Sequence, residues 1–257
     1  MGARNRAGAI AAVCALTIAA APATAQNACP LHDAGSATVR AVLDARSFVL
    51  SDGREVRLAG IETPDNAAGM AALQATIGGR EVTLRQIEPG TDRYGRLSAF
   101  AFVSGQPLSA QHVLLAAGHA QVAARVGDTA CAAALLGAER AARTAKLGLW
   151  ADPSNAPRRA SDLAGVLAMR GRFALVEGRL VSVRPSGATL YLNFGRRWSE
   201  DFTATVPRRH EKLFAAAGLD LRTLSGRTVR VRGHIEERGG PWIELVRPEQ
   251  IELAGRD

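Results

Sequence analysis

A short segment rich in proline, serine and asparagine divides the 257-residue sequence. It runs from Asp152 to Pro157, and residues of these types interrupt helices and strands. Residues 26–155 carry 12 basic and 12 acidic side chains, whereas residues 156–257 carry 18 basic and 12 acidic side chains, a net charge of +6. We therefore predict a domain at residues 26–151, a linker at residues 152–160 and a basic domain at residues 161–257.

The first 25 residues have the pattern of a secretory signal peptide. Arg4 and Arg6 give a positive start, Ala7–Ala21 is an apolar run, and Ala23-Thr24-Ala25 fits a small-residue cleavage site. The apolar run is shorter than the roughly 20 residues of a membrane span. The sequence predicts cleavage near Ala25 and a periplasmic or secreted mature protein without a membrane span.

Two cysteines, Cys29 and Cys131, remain after the predicted cleavage. An even pair in an oxidising compartment favours a disulfide, which here would join the mature N-terminus to a helix. Two separate thiols are the alternative. Two cysteines without a nearby histidine make a poor zinc site.

The patterns of the first half predict mostly strands followed by helices. This order favours an α+β, mainly β fold with a small five-stranded barrel and packed helices. The predicted strands are Thr38–Leu43, Ser47–Leu50, Glu55–Ile61, Glu81–Ile87 and Leu97–Val103, and the predicted helices are Asn66–Ile77, Ser109–Ala117 and a helix after Asp128.

The second half shows three predicted strands, a helix and two further strands. That order is typical of an OB-type five-stranded barrel, an architecture that often binds oligonucleotides. The predicted elements are strands Phe173–Val183, Ala188–Phe194 and Phe202–Val206, helix Arg209–Ala217, and strands Thr228–His234 and Trp242–Leu245.

Two short segments carry the residue types of phosphodiester chemistry. Arg57 lies on a predicted strand that ends near Glu62 and Asp65, and Arg96 follows a Tyr-Gly turn. Two guanidiniums can donate paired hydrogen bonds to the charge that develops on a phosphate. Carboxylates can hold a hard cation or orient the attacking water. A surface salt-bridge cluster is the alternative interpretation of the same residues.

Together these segments resemble the staphylococcal nuclease (thermonuclease) family. The resemblance covers about residues 37–151, and its motifs follow one another in the family's order. They are Arg57-Leu58, the turn Glu62-Thr63-Pro64-Asp65, the turn Asp92-Arg93-Tyr94-Gly95-Arg96, the segment Val113–Val122 and the closing Leu147-Gly148-Leu149-Trp150.

The resemblance implies a role for each matching residue. Arg57 and Arg96 would clamp the scissile phosphate, and Asp65 would act as base or position the water. Glu62 would be a Ca²⁺ ligand, with the backbone carbonyl of Thr63 beside it. The family's barrel is itself OB-like, so the resemblance together with the second half implies two such barrels in tandem.

One departure from the family affects the implied Ca²⁺ site. The family begins this site with Asp-Gly-Asp-Thr, whereas this chain has Asp44-Ala45-Arg46-Ser47, so Arg46 stands where the family has a metal-binding Asp. Three interpretations follow. The domain is a phosphodiesterase with an altered metal site; or Arg46 supplies the positive charge without metal; or Arg46 pairs with Glu62 or Asp65 in a degenerate domain.

Further residues are candidates for contacts with DNA or RNA. Guanidiniums bind phosphates and exposed aromatic rings stack on bases. The candidates are Arg93 and Tyr94 in the first half and Tyr191, Arg196 and Arg197 in the second half. The sequence thus predicts a secreted or periplasmic nuclease-like phosphodiesterase. A catalytically degenerate nucleic-acid-binding protein and an envelope protein–protein interaction module are the alternatives.

Overall fold

The computed structural model describes residues 29–64, 66–197 and 199–255. The predicted signal peptide and Asp65 lie outside the described residues. Among the described helices, none combines the length and the apolar character that a membrane crossing requires.

The N-terminal half is a closed five-stranded barrel with helices packed on it, as the sequence predicts. The barrel order is β1-β2-β3-β6-β5, with β5 returning to β1. In chain order the elements are β1 (His32–Val42), β2 (Ser47–Leu50), β3 (Glu55–Leu58), β4 (Ile61–Glu62), α1 (Ala67–Ile77), β5 (Glu81–Gln86), β6 (Leu97–Val103), α2 (Ala110–Ala116), β7 (Gln121–Val122) and α3 (Thr129–Thr144).

Alternation of apolar residues along the strands fills the barrel. Val56 and Leu58 of β3 point into the core, and Val82 and Leu84 of β5 do the same. The predicted strand Glu55–Ile61 is divided into β3 and β4, because Gly60 adopts a φ of +74° there. A β-carbon at Gly60 would lie 3.1 Å from Leu135, so glycine suits this turn in both conformation and size.

The start of α3 is fixed by a cap and by a disulfide. Oδ1 of Asp128 accepts hydrogen bonds from the backbone N–H groups of Ala130 and Cys131, at 2.8 and 2.9 Å. Cys131 forms a disulfide with Cys29, which confirms the predicted pairing. The covalent link closes a loop over a sequence separation of 102 residues and holds the N-terminal strand against the helical layer.

The C-terminal half forms two sheets. Their orders are β10-β11-β12-β15-β14 and β16-β13-β9-β8. In chain order the elements are β8 (Arg158–Arg159), α4 (Leu163–Leu167), β9 (Phe173–Arg179), β10 (Ser182–Ser186), β11 (Thr189–Asn193), β12 (Thr203–Pro207), α5 (Glu211–Ala216), β13 (Thr228–His234), β14 (Glu236–Arg238), β15 (Gly240–Glu244) and β16 (Ile251–Leu253).

The order of paired strands in this half resembles that of the barrel. The described strands, however, form no second closed barrel. The order β10-β11-β12-β15, with β12 parallel to β15, matches β1-β2-β3-β6, with β3 parallel to β6. The predicted strand Phe173–Val183 is broken at Leu180 and Val181, where the chain passes from one sheet to the other. The second OB-like barrel is therefore not confirmed and stays a prediction.

A buried ionic network joins the two halves. Arg232 of β13 is 1% exposed, and its guanidinium donates to both carboxylate oxygens of Glu139 on α3, at 2.8 and 3.0 Å. It also pairs with Glu252 of β16, and it donates to the backbone carbonyl of Val122, at 3.1 Å. Glu139 also accepts a hydrogen bond from Arg143 at 2.8 Å. Each of these buried charges therefore has a counterion within the interface between the two halves.

Replacement of Arg232 by methionine should lower the free energy of unfolding by about 3–5 kcal/mol, because the buried Glu139 and Glu252 carboxylates lose their shared cation. Urea denaturation measures this loss. Arg222, which is exposed and paired with Glu211, provides the control, and Arg222→Met should change stability by less than about 1 kcal/mol. Equal effects of the two substitutions would show that the network does not stabilise the interface.

The network should also make stability depend on pH. Burial alone would raise the pKa of the Glu252 carboxyl, but Arg232 and Arg143 outweigh it and lower this pKa from its ordinary value of 4.5. Its contribution is therefore fully present above about pH 4.5 and is lost as the pH falls through the lower folded-state value. Urea denaturation between pH 3 and pH 6 should show a shallower pH dependence for Glu252→Gln than for Glu237→Gln, an exposed control. Parallel pH curves would contradict this.

Candidate functional site

Strand β3 places Arg57 on the outside of the barrel. Its neighbours along the strand, Val56 and Leu58, are buried in the core, so the intervening side chain must point away from it. Arg57 is paired across the sheet with Ser47 on β2 and with Ser98 on β6. These two small side chains leave room for the long arginine at the barrel surface.

A tight turn before β6 fixes Arg96. The Asp92 carboxylate accepts hydrogen bonds from the backbone N–H groups of Tyr94 and Arg96, at 2.8 and 3.1 Å. It also accepts from Nε and Nη2 of Arg96, at 2.9 and 2.8 Å. The side-chain hydrogen bonds from Arg96 lower the pKa of the Asp92 carboxyl, and the same bonds raise the pKa of Arg96. Arg96 is thereby oriented at the start of β6, the strand that pairs with β3.

Arg46 occupies the loop between β1 and β2 and reaches across to β4. Its Nη1 lies 2.5 Å from Oε2 of Glu62 and donates to the backbone carbonyl of Ile61 at 3.0 Å. Its backbone N–H donates to Oδ1 of Asp44 at 2.8 Å. The sequence left Glu62 and Asp65 open as partners of Arg46. The structure shows the pair with Glu62, and Asp65 lies outside the described residues.

The guanidiniums of Arg46 and Arg96 therefore both act electrostatically on the guanidinium of Arg57. Burial lowers the pKa of the Arg57 guanidinium, and the positive charges of Arg46 and Arg96 lower it further. The negative charges of Glu62 and Asp44 act on this pKa in the opposite direction. Among the described residues, no carboxylate forms a salt bridge with Arg57. An arginine that is held near other cations without a partner of its own is suited to bind an anion, and a phosphate can accept from several N–H groups at once.

The described residues do not fit the Ca²⁺ site that the resemblance implies. Ca²⁺ takes six to eight oxygen ligands, whereas an oxygen of Glu62 and the Ile61 carbonyl already accept hydrogen bonds from Arg46. Within the described ranges, no group of three ligand-type side chains includes Glu62. Thr63 directly follows Glu62, and the implied role of its backbone carbonyl as a ligand stays a prediction. A positive guanidinium in this position repels a divalent cation.

Arg93 and Tyr94 lie in the turn that also holds Arg96. The Tyr94 side chain is exposed, and the guanidinium carbons of Arg93 and Arg96 lie 4.8 and 5.1 Å from its ring centroid. These cation–π contacts compete with a nucleobase for the same ring. The turn thus presents a group of two arginines and a tyrosine next to Arg57.

Of the three candidate residues in the second half, the structure brings Tyr191 and Arg196 together, but not Arg197. Tyr191 and Arg196 line a cavity of about 660 Å³. Arg184 also lines this cavity, since it lies directly opposite Tyr191 in the β10–β11 hairpin. The hairpin register around Gly187 is the signal that could have identified Arg184 from the sequence. Arg197 instead forms an exposed ion pair with Glu200 at 3.1 Å.

The fold and this site define a class of protein, namely a closed α+β barrel with the three arginines Arg46, Arg57 and Arg96 grouped at its surface. Residues 55–152 match the SNase family model, described as staphylococcal nuclease homologue, which confirms the resemblance over this part of the chain. No curated protein matches the chain. The matched range includes Arg57, Glu62 and Arg96, whereas Arg46 and the C-terminal half lie outside it. An SNase-like domain indicates a nuclease-like function with nucleic-acid binding.

The charge of Arg46 should decide whether this barrel responds to Ca²⁺. We expect Ca²⁺ to leave the melting temperature of the unaltered protein unchanged. Arg46→Asp removes the competing cation and adds a carboxylate beside Glu62. At a Ca²⁺ concentration about 100 times the Kd, it should be stabilised by about 2.7 kcal/mol. Thermal unfolding with and without Ca²⁺ measures the effect, with Arg80→Asp as an exposed control. Stabilisation of the unaltered protein by Ca²⁺ would contradict the expectation.

Proposed function

We propose that the protein is a nucleic-acid phosphodiesterase whose phosphate site is formed by Arg57 and Arg96. The observation that carries this proposal is the position of Arg57 on the barrel surface, across from Ser47 and Ser98, which follow Arg46 and Arg96 closely in the chain. Among the described residues, Arg57 forms no salt bridge with a carboxylate. A phosphodiester supplies the missing negative charge. The match of residues 55–152 to the nuclease homologues supports the same assignment.

The proposed chemistry relies on fixed positive charge. Water attacks the phosphorus, the bond from phosphorus to the leaving oxygen breaks, and the negative charge on the non-bridging oxygens increases in the transition state. Arg57 and Arg96 donate to those oxygens and stabilise the charge. In this proposal the Asp65 carboxylate accepts the proton of the water, and solvent protonates the leaving oxygen. The Arg46–Glu62 ion pair stands at the place where the family has its metal ligands.

The proposal places nucleic acid on both halves of the chain. Arg93 and Tyr94 extend the phosphate site along the turn before β6, and Tyr191, Arg196 and Arg197 offer further contacts on the basic half. The net charge of +6 on residues 156–257 favours an anionic partner. DNA and RNA both present the phosphates that such a surface would bind.

We also propose a periplasmic or secreted location. The positive start, the apolar run and the small-residue cleavage site of the first 25 residues support this location. The Cys29–Cys131 disulfide is consistent with it, because disulfides persist in oxidising compartments.

Binding without hydrolysis is the second candidate function, and one specific contact favours it. Arg46 engages the Glu62 carboxylate, so the residue that the family uses as a metal ligand is neutralised in this chain. A domain of this kind would keep the phosphate site and lose cleavage.

Arg57→Ala and Arg96→Ala test the proposed function. Each should lower the cleavage rate of labelled single-stranded DNA or RNA by about 10²–10³-fold, since each removes a donor to the transition state. Assays with Ca²⁺, with other divalent ions and with EDTA should give equal rates for the unaltered protein. Arg80→Ala serves as the exposed control and should retain the full rate.

Binding in the same series separates the two candidate functions. The logarithm of affinity should fall with the logarithm of salt concentration, and Arg57→Ala should reduce that slope by about 0.7, the value for one lost phosphate contact. Salt-sensitive binding without product under any ion condition would establish the binding-only function. A salt slope and a cleavage rate that are unchanged in Arg57→Ala would overturn both.

A further inference from the structure

A cleft of about 450 Å³ lies between the two halves and begins at the candidate site. One wall is the turn Glu62–Pro64, which follows β4 in the barrel half. The other wall belongs to the C-terminal half and includes Arg158, Arg172, Phe173 and His234. Glu62, which lines the cleft, is the ion-pair partner of Arg46, so the cleft begins at this ion pair, five residues along the chain from Arg57.

The charged side chains of the cleft favour an anion. Glu62 is neutralised by its ion pair with Arg46. Arg158 and Arg172 donate to the backbone carbonyls of Ser154 and Ala168, both at 2.9 Å. Within the described part of the chain, neither of these two arginines forms a salt bridge. The cleft therefore holds two cations whose charge the described carboxylates do not cancel.

An aromatic pair lies on the same wall. Phe173 of β9 and His234 of β13 are cross-strand partners, and their ring centroids are 5.8 Å apart in an edge-to-face arrangement. Phe173 is partly buried against Leu175 and Trp150, so its ring is fixed by packing. His234 is exposed, so its ring is accessible to a planar ligand. Aromatic rings of this kind provide stacking surfaces for bases.

The size of the cleft limits what can enter it. A volume of about 450 Å³ lies in the range of small-molecule sites, which suits one nucleotide. The ionic network around Arg232 connects β13, which carries His234, with β7, which carries Gln121, and so links the two walls. A base that is paired and stacked in a duplex would have to be flipped out before it could enter, at a cost in free energy.

We propose that this cleft, between the barrel half and the C-terminal half, binds one unpaired nucleotide of the strand whose phosphate lies at Arg57. The base stacks on the Phe173–His234 pair, and the neighbouring phosphate accepts hydrogen bonds from Arg158 and Arg172. This inference rests on the proposed function, because it extends the strand from the same phosphate site.

Binding of oligonucleotides to the purified protein tests the cleft. The probes are a 12-nucleotide oligo(dT), an abasic strand of the same length and the corresponding duplex. His234→Ala should weaken binding of oligo(dT) about tenfold and leave binding of the abasic strand unchanged, since only the base stacks on this ring. The unaltered protein should bind the duplex at least about tenfold more weakly than oligo(dT), because a paired base must first be extruded.

A matched arginine pair tests the phosphate contact. Arg172→Ala should reduce the salt slope of oligo(dT) binding by about 0.7. Arg170→Ala provides the control two residues away, because Arg170 lies outside the cleft lining and Nη1 of Arg170 is already 2.6 Å from Glu237. The variants at Arg57, Arg170, Arg172 and His234 are also compared by thermal unfolding, so that a loss of fold is recognised.

The failure of the cleft and the failure of the proposed function give different results. If the cleft proposal is wrong, Arg57→Ala still weakens binding, whereas His234→Ala and Arg172→Ala bind oligo(dT) and duplex as the unaltered protein does. If hydrolysis alone is wrong, no probe is cleaved, but Arg57→Ala still weakens binding. If the phosphate site itself is wrong, Arg57→Ala has no effect on binding of any probe. Equal loss of oligo(dT) and abasic binding in His234→Ala would also overturn the stacking role.

Discussion

The Arg232 guanidinium is the contact on which the relation between the two halves depends. It is buried between Glu139 of the barrel half and Glu252 of the other half, and it also holds the backbone carbonyl of Val122. A buried charge without a counterion is strongly unfavourable, so the halves cannot separate at this point without a large cost. The network thus fixes the walls of the cleft and sets the position of the basic half beside the barrel.

The same need of a charged side chain for a counterion explains the contacts in the candidate site. Arg46 satisfies its charge on Glu62, which makes the implied metal ligand part of an internal ion pair. Arg57 lies on the outer face of β3, near Arg46 and Arg96, and forms no salt bridge with a described carboxylate. In the proposed function, a phosphate provides that counterion. Fixed guanidiniums are preorganised, so they can stabilise a developing phosphate charge without a large rearrangement.

Much of the barrel could be predicted because the signals are local. Alternation along Glu55–Leu58 determines that Arg57 faces outward, and the residue types around Asp128 determine a helix start. The division of the second half into two sheets could not be predicted in the same way, since it depends on which strand edges meet. The break at Gly60 also escaped the pattern, because its positive φ belongs to a turn that is packed against a distant helix.

The sequence by itself determined the order of strands and helices in the barrel, the outward position of Arg57, the turn that carries Arg96 and the pair of cysteines available for a disulfide. Only the tertiary structure decided that Arg46 pairs with Glu62, sixteen residues away, and that Arg232 meets Glu139 across 93 residues. Periodicity, caps and turns arise from interactions within a few residues. The choice of a charge's partner depends instead on which distant elements pack together, and only the folded chain brings those elements into contact.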